Sequence, residues 1–97
     1  MNNQEIVKRS IEESLIIVSG IATNPIPFDP EFTGVLIGAS GLLDSLETVT
    51  LLINIEEKVN LKFRRHVDVT VRIFERLNNS FTKNELESAI LEMIQDH

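Results

Sequence analysis

The sequence predicts one all-α domain of four helices, and three observations lead there. Apolar residues recur at helical spacing in separate stretches. Two polar cap patterns, Asp44-Ser45-Leu46-Glu47 and Thr82 through Glu85, mark helix starts. The 97 residues show no internal repeat, low-complexity run or second composition regime, and that length fits a single domain, 1–97.

The first helix is expected over residues 3–21. Val7, Ile11, Leu15, Val18 and Ala22 follow one another at intervals of three or four and so share a face, while Glu5, Lys8, Arg9, Glu12 and Glu13 cover the rest of the first turns. Pro25 and Pro27 stop it, because proline lacks a backbone donor and pushes its predecessor out of the helical region. From Thr23 to Leu43 the chain holds all three prolines and three of its four glycines without helical periodicity. Connections beyond about 12–15 residues are usually functional or disordered. Phe28, Phe32, Val35, Leu36, Ile37, Leu42 and Leu43 make this one too apolar for disorder, so it is expected to pack back onto the helices.

Helix two is expected over residues 45–59. Asp44 caps its first amide donors and Glu47 returns a bond to the cap; Leu46, Val49, Leu52, Ile53 and Ile55 follow. Its apolar surface is broader than one stripe, so it packs on more than one side or shows a patch to a partner. In residues 60–81, Val67, Val69 and Val71 alternate like a strand, yet Val71, Phe74 and Leu77 fit a helical face. A lone strand has no partner, so a short helix over 69–77 is expected. The last helix, 83–95, carries Leu86, Ala89, Ile90, Met93 and Ile94.

Nine Lys and Arg stand against fifteen Asp and Glu, a net charge of −6, which opposes the counterion release that drives nucleic-acid binding. A basic partner surface fits better. No stretch approaches the roughly 20 apolar residues of a membrane span, and the acidic MNNQEIVKRSIEES start does not read as a secretory signal; a cytoplasmic protein is expected. The absence of cysteine excludes disulfides, Cys-ligated metals and a thiol nucleophile of the chain's own. Any thiol chemistry must arrive on a cofactor.

Enzymatic readings find little support. A nucleophilic serine needs a general base and oxyanion donors, the only imidazoles are His66 and His97, and Gly38-Ala39-Ser40-Gly41 lacks the nucleophile-elbow spacing. The glycines precede no Lys-Ser/Thr of a phosphate loop and serve better as turn residues. Asp29 with Glu31, and Glu56 with Glu57, read as solvated charges rather than acid–base pairs. No residue is assigned a catalytic or metal-ligating role. What remains is Ser45 at the first position of an amphipathic helix, where amide donors and the helix dipole favour an attached anion. Position alone still favours the plainer reading, that Ser45 belongs to a helix cap.

Residues 41–59, GLLDSLETVTLLINIEEKV, resemble the acyl carrier protein family in the Asp-Ser-Leu attachment motif, the apolar helix that follows and its Glu-Glu ending. Carriers of this family are four-helix bundles with a long loop between helices one and two and a short third helix. The resemblance is close over about residues 34–63 and architectural elsewhere. It implies 4′-phosphopantetheine on Ser45, transferred from coenzyme A by a separate phosphopantetheinyl transferase, with Asp44 positioning the serine and Leu46 contacting the transferase and later enzymes. An acyl group would then ride as a thioester on the arm's thiol, between enzymes of a fatty acid, polyketide or other specialised biosynthetic pathway, and the carrier itself would catalyse nothing. Contacts with the loading ligase or synthase would be small and transient, with Glu47, Glu56 and Glu57 meeting basic surfaces, Ile53 adding an apolar contact and the carrier remaining a monomer.

Two features separate this chain from the carriers of primary fatty acid synthesis. Thr50 stands where an acid is usual, and Arg64, Arg65, Arg72 and Arg76 outweigh Asp68 and Glu75 in a region that is normally acidic. Gly41-Leu42-Leu43-Asp44-Ser45 is also similar to the motif region of D-alanyl carrier proteins, which hold an amino acid on the same arm. A reading of a different class is a helical interaction module that keeps the bundle without the arm. A cavity near Val49, Leu52, Ile53 and Phe74 would favour a fatty cargo; a filled core would favour a short or aminoacyl one.

Overall fold

The computed structural model describes residues 2–26, 32–76 and 79–95. Its elements are α1 (Asn3–Ser19), β1 (Val35–Ile37), α2 (Ser45–Phe63), α3 (Val69–Phe74), β2 (Phe81–Thr82) and α4 (Lys83–Gln95). α1 packs against α2 and α4, and α2 packs against α3. The four expected helices are present, in a mostly helical chain with one small sheet.

α1 opens on Asn2, whose side chain accepts from the Glu5 N–H at 2.8 Å. Val7, Ile11, Leu15 and Val18 are buried, and the buried Ser10 and Ser14 hydroxyls donate to Ile6 O and Ser10 O. The helix ends at Ser19, two residues before its expected end, because the chain tightens after Gly20: the Ile21 N–H donates to Val18 O, three residues back.

The expected all-α architecture is corrected by the sheet. β1 pairs antiparallel with β2, Val35 opposite Thr82 and Ile37 opposite Phe81, with an irregularity between the two pairs. Strands of three and two residues carry no readable period. The long connection does pack back as expected: Ile26, Leu36, Ile37 and Leu43 are buried, while Phe32, Val35 and Leu42 are half-buried. Phe28, Asp29 and Glu31 lie outside the described residues.

α2 runs four residues beyond its expected end, to a left-handed Arg64 at φ 53° whose N–H donates to Asn60 O. Asn60 then brackets the next turn, its Oδ1 accepting from the Val67 N–H at 2.8 Å and its Nδ2 donating to Val67 O at 3.4 Å. α3 is a helix, as expected, but it ends at Phe74 and buries Val69 and Ile73 rather than Val71 and Phe74. Leu77 lies outside the described residues. α4 has the expected bounds and apolar face, and Thr82 with Glu85 closes the expected cap: Glu85 N–H to Thr82 Oγ1, 3.2 Å, and Thr82 N–H to Glu85 Oε1, 2.9 Å.

Thr70, in the first turn of α3, has a buried hydroxyl with no hydrogen-bond partner among the described residues. An unpaired buried polar group costs about 1–3 kcal/mol. Thr70→Val, which keeps the shape and removes that group, is expected to raise stability by about 1 kcal/mol, read as a higher denaturation midpoint at unchanged slope. A lower midpoint would show that the hydroxyl is satisfied in solution.

Candidate functional site

The start of α2 is built from three directions. Asp44, extended at φ −75° and ψ −178°, accepts from the Glu47 N–H at 2.8 Å through its side chain, and the Glu47 carboxylate accepts from the Asp44 N–H at 3.0 Å. This is the capping box expected from the sequence. It fixes the peptide carrying Ser45 at the first helical position, with Asp44, Ser45 and Leu46 all on the surface and Leu46 71% exposed.

The second support comes from the segment after α1. The other Glu47 oxygen, Oε2, accepts from the Thr23 N–H at 2.8 Å, and the Asn24 amide donates to Leu42 O at 3.3 Å. Nothing in the local sequence ties residues 23 and 24 to the helix start. Their partners lie about twenty residues away, beyond the reach of cap patterns.

The third support is β1 and its turn. The Gly41 N–H donates to Gly38 O, Leu42 N–H to Val35 O and Leu43 N–H to Leu36 O, so residues 38–43 fold back along the strand that β2 holds. Gly38 has φ +104°, where a side chain is strained, and a Cβ there would meet Asn79 O at 2.7 Å; a Cβ on Gly41 would meet Ile37 Cα and Leu36 O at 2.7 Å. Gly38→Ala is expected to destabilise the chain by about 1–3 kcal/mol in thermal denaturation. Gly20→Ala is the control. Its Cβ approaches nothing closer than 3.4 Å and its backbone is α-helical, so no loss is expected.

Beside Ser45 the surface opens into a recess of about 420 Å³, lined by Gly38, Ala39, Gly41, Leu43, Thr48 and Phe74 together with Asp44 and Ser45. The glycines were read from the sequence as turn residues only, and Phe74 as one wall of a cargo cavity. The clustering of small residues ahead of the Asp-Ser pair was the available signal. The cavity considered near Val49, Leu52 and Ile53 is not this one: Leu52 is fully buried in the core, and among those residues only Phe74 reaches the recess.

The expected docking residues separate. Glu47 is corrected from a docking residue to a structural one: it is 4% exposed, and both carboxylate oxygens hold backbone donors of this chain. Glu56 is half-buried and accepts from the Thr70 N–H at 3.0 Å, serving the start of α3 where the Asp68 side chain makes no cap bond. Glu57 is exposed, and Ile53 is 43% exposed, so both face outward. Leu46, Ile53 and Leu61 are the exposed large apolar residues of α2, the patch that its broad apolar surface anticipates.

The basic segment also divides. Arg65 donates to Ile94 O at 2.7 Å near the end of α4, and the Arg76 guanidinium lies over the Phe81 ring, 5.5 Å from its centroid. Arg64 and Arg72 are exposed. His66 pairs with Asp68 at 2.9 Å on the surface, remote in role from any serine. Among the described residues no group of three or more His, Asp or Glu side chains is placed to hold a metal ion, and no helix is long and apolar enough to cross a membrane. Comparison of the chain with protein-family models, curated proteins and solved structures finds no match.

Proposed function

We propose that the chain is a phosphopantetheine-dependent acyl carrier with Ser45 as its attachment residue. The observation that carries this reading is the exposed Ser45 at the first position of a helix whose start is fixed by a capping box and by the long-range bond from Thr23 to Glu47. The resemblance of residues 41–59 to acyl carrier proteins supplies the chemistry.

On this reading the residues fit the arm. Ser45 is open to a transferase, its hydroxyl stands at the positive end of α2, and an attached phosphodiester gains from that dipole by roughly 0.3–1 kcal/mol. In the attachment reaction the Ser45 Oγ–phosphorus bond forms as the pyrophosphate bond of coenzyme A breaks; adenosine bisphosphate leaves and the hydroxyl proton passes to the transferase. Asp44 holds the serine's peptide in place, and Leu46 and Ile53 offer apolar contacts to the transferase and to the loading ligase or synthase. The bound 4′-phosphopantetheine supplies a thiol, which this cysteine-free chain lacks, and that thiol holds acyl cargo as a thioester. Tethering keeps the cargo at high effective concentration at each docked enzyme. The carrier works as a monomer in the cytoplasm, where coenzyme A is supplied, and contributes no catalytic group of its own.

Because the chain has no cysteine, thiol titration reads the arm directly. After incubation with coenzyme A, magnesium and a broad-specificity transferase, followed by desalting, one thiol per chain is expected. A titre of zero beside a control carrier that gains its thiol would overturn the proposal and favour an armless interaction module.

A further inference from the structure

Four of the chain's five arginines fall between residues 64 and 76, in a chain of net charge −6, and the attachment chemistry at Ser45 uses none of them. The fold gathers them around α3 and the end of α4. Arg64 is exposed at the end of α2, Arg65 reaches Ile94 O, and Arg72 and Arg76 line a groove of about 320 Å³ with Glu75, Ala89, Glu92 and Met93. The ion pairs among the described residues are Lys62 with Glu13, Lys83 with Glu12 and His66 with Asp68. None of them takes an arginine, although Glu75 and Glu92 share the groove. Arg65 and Arg76 have other partners, a carbonyl and the Phe81 ring, which leaves the Arg64 and Arg72 guanidinium groups uncommitted among the described residues.

α3 sets an apolar centre beside these cations. Val69 and Ile73 face the core and the Thr70 N–H is held by Glu56 of α2, so the helix period turns Val71 outward and Phe74 toward the Ser45 side. Arg72 falls on the opposite flank, toward α4. Val71 is 56% exposed and Phe74 39%. A guanidinium is weakly hydrated and its planar fork matches a carboxylate, so arginine beside exposed apolar side chains suits a protein interface. We infer that the outer side of α3, with Val71 and Phe74 at its centre and Arg72 and Arg64 at its edge, is a docking face for a protein that presents carboxylates around an apolar contact. The sign is the reverse of the basic partner surface expected from the overall charge. An anionic bilayer fits less well, because lipid-binding polybasic segments carry clusters of about 4–8 Lys or Arg, whereas Glu75 stands between Arg72 and Arg76 here. That this partner loads or unloads an arm on Ser45 rests on the proposed function; the face and the sign of its partner's charge do not.

The test titrates the isotope-labelled, unmodified whole chain at low salt with a synthetic amphipathic helical peptide of leucine and glutamate. The same peptide with lysine for glutamate, and vesicles of phosphatidylglycerol and phosphatidylcholine, are run beside it. The glutamate peptide is expected to shift the amides of residues 69–76, with an affinity that falls as salt rises. Arg72→Glu should weaken this binding on the order of fivefold, while Arg9→Glu, an equal change of charge at an exposed position of α1, should leave it within about twofold. Unchanged amide shifts outside the face show that the Arg72→Glu chain is folded. Absent shifts, shifts lying elsewhere, equal losses from the two variants or tighter binding of the lysine peptide would overturn the inference. Binding of the vesicles through residues 69–76 in place of the peptide would overturn it in favour of a membrane surface. A chain that never accepts the arm contradicts the proposed function and leaves this titration as it stands, so the two failures are separately visible.

Discussion

Ser45→Ala is expected to leave the chain folded and, if Ser45 is the attachment residue proposed above, to abolish modification, from one thiol per chain to none. The structural cost is small because the cap is made by Asp44 and Glu47 and not by the serine. Alanine is also the best helix former at an exposed helical position, so the denaturation midpoint should correspond to a change within about 0.5 kcal/mol. The two readouts together separate loss of the attachment atom from loss of structure. A mutant still modified to one thiol per chain would place the arm on another hydroxyl.

Glu47 gives the opposite pattern, a large effect on stability through a residue that touches no substrate. Its two oxygens satisfy the Asp44 and Thr23 amides from a side chain 4% exposed. Glu47→Ala keeps the bond from the residue-47 N–H to Asp44 but removes the acceptor of the Asp44 and Thr23 amides and a buried side chain, a loss of about 1–3 kcal/mol, or on the order of 5–15 °C in Tm for a chain of this size. Glu47→Gln retains one acceptor, and about half that loss is expected. Modification of the folded Glu47→Ala chain should also slow, since the helix start that presents Ser45 is no longer tied to the segment after α1. An unchanged Tm would mean that the Thr23 tether carries no weight in solution.

The cap patterns were the most legible part of the site because they are local: Asp44 and Glu47 are three residues apart, as are Thr82 and Glu85, and both pairs form the expected bonds. The amphipathic faces of α1 and α4 were legible for the same reason, their period falling within one helix. Glu47 and Glu56 show the limit. In sequence Glu47 reads as both cap partner and docking charge, and Glu56 as a solvated or docking charge; the bonds they accept from the Thr23 and Thr70 amides come from long-range placement. The β1–β2 pair was invisible on the same grounds, since Phe81 and Thr82 look like the lead into a capped helix and acquire strand character only from Val35 and Ile37. α3 is too short for period alone to fix its face, and the contacts of α2 select Val69 and Ile73 over Val71 and Phe74.

The reduced acidity of the α2 surface follows from those same bonds. With Glu47 buried and Glu56 bonded to α3, Glu57 is the acid of the expected docking set that remains exposed, beside the outward-facing Leu46 and Ile53. If the chain carries the arm as proposed, its partner enzymes are expected to meet an apolar centre more than an acidic stripe.

The central claim is that Ser45 accepts a phosphopantetheine arm, and the most direct measurement is the intact mass of the chain before and after incubation with coenzyme A, magnesium and a broad-specificity transferase. The account expects one phosphopantetheinyl addition per chain, located by peptide fragmentation on Ser45. An unchanged mass beside a fully modified control carrier would contradict it.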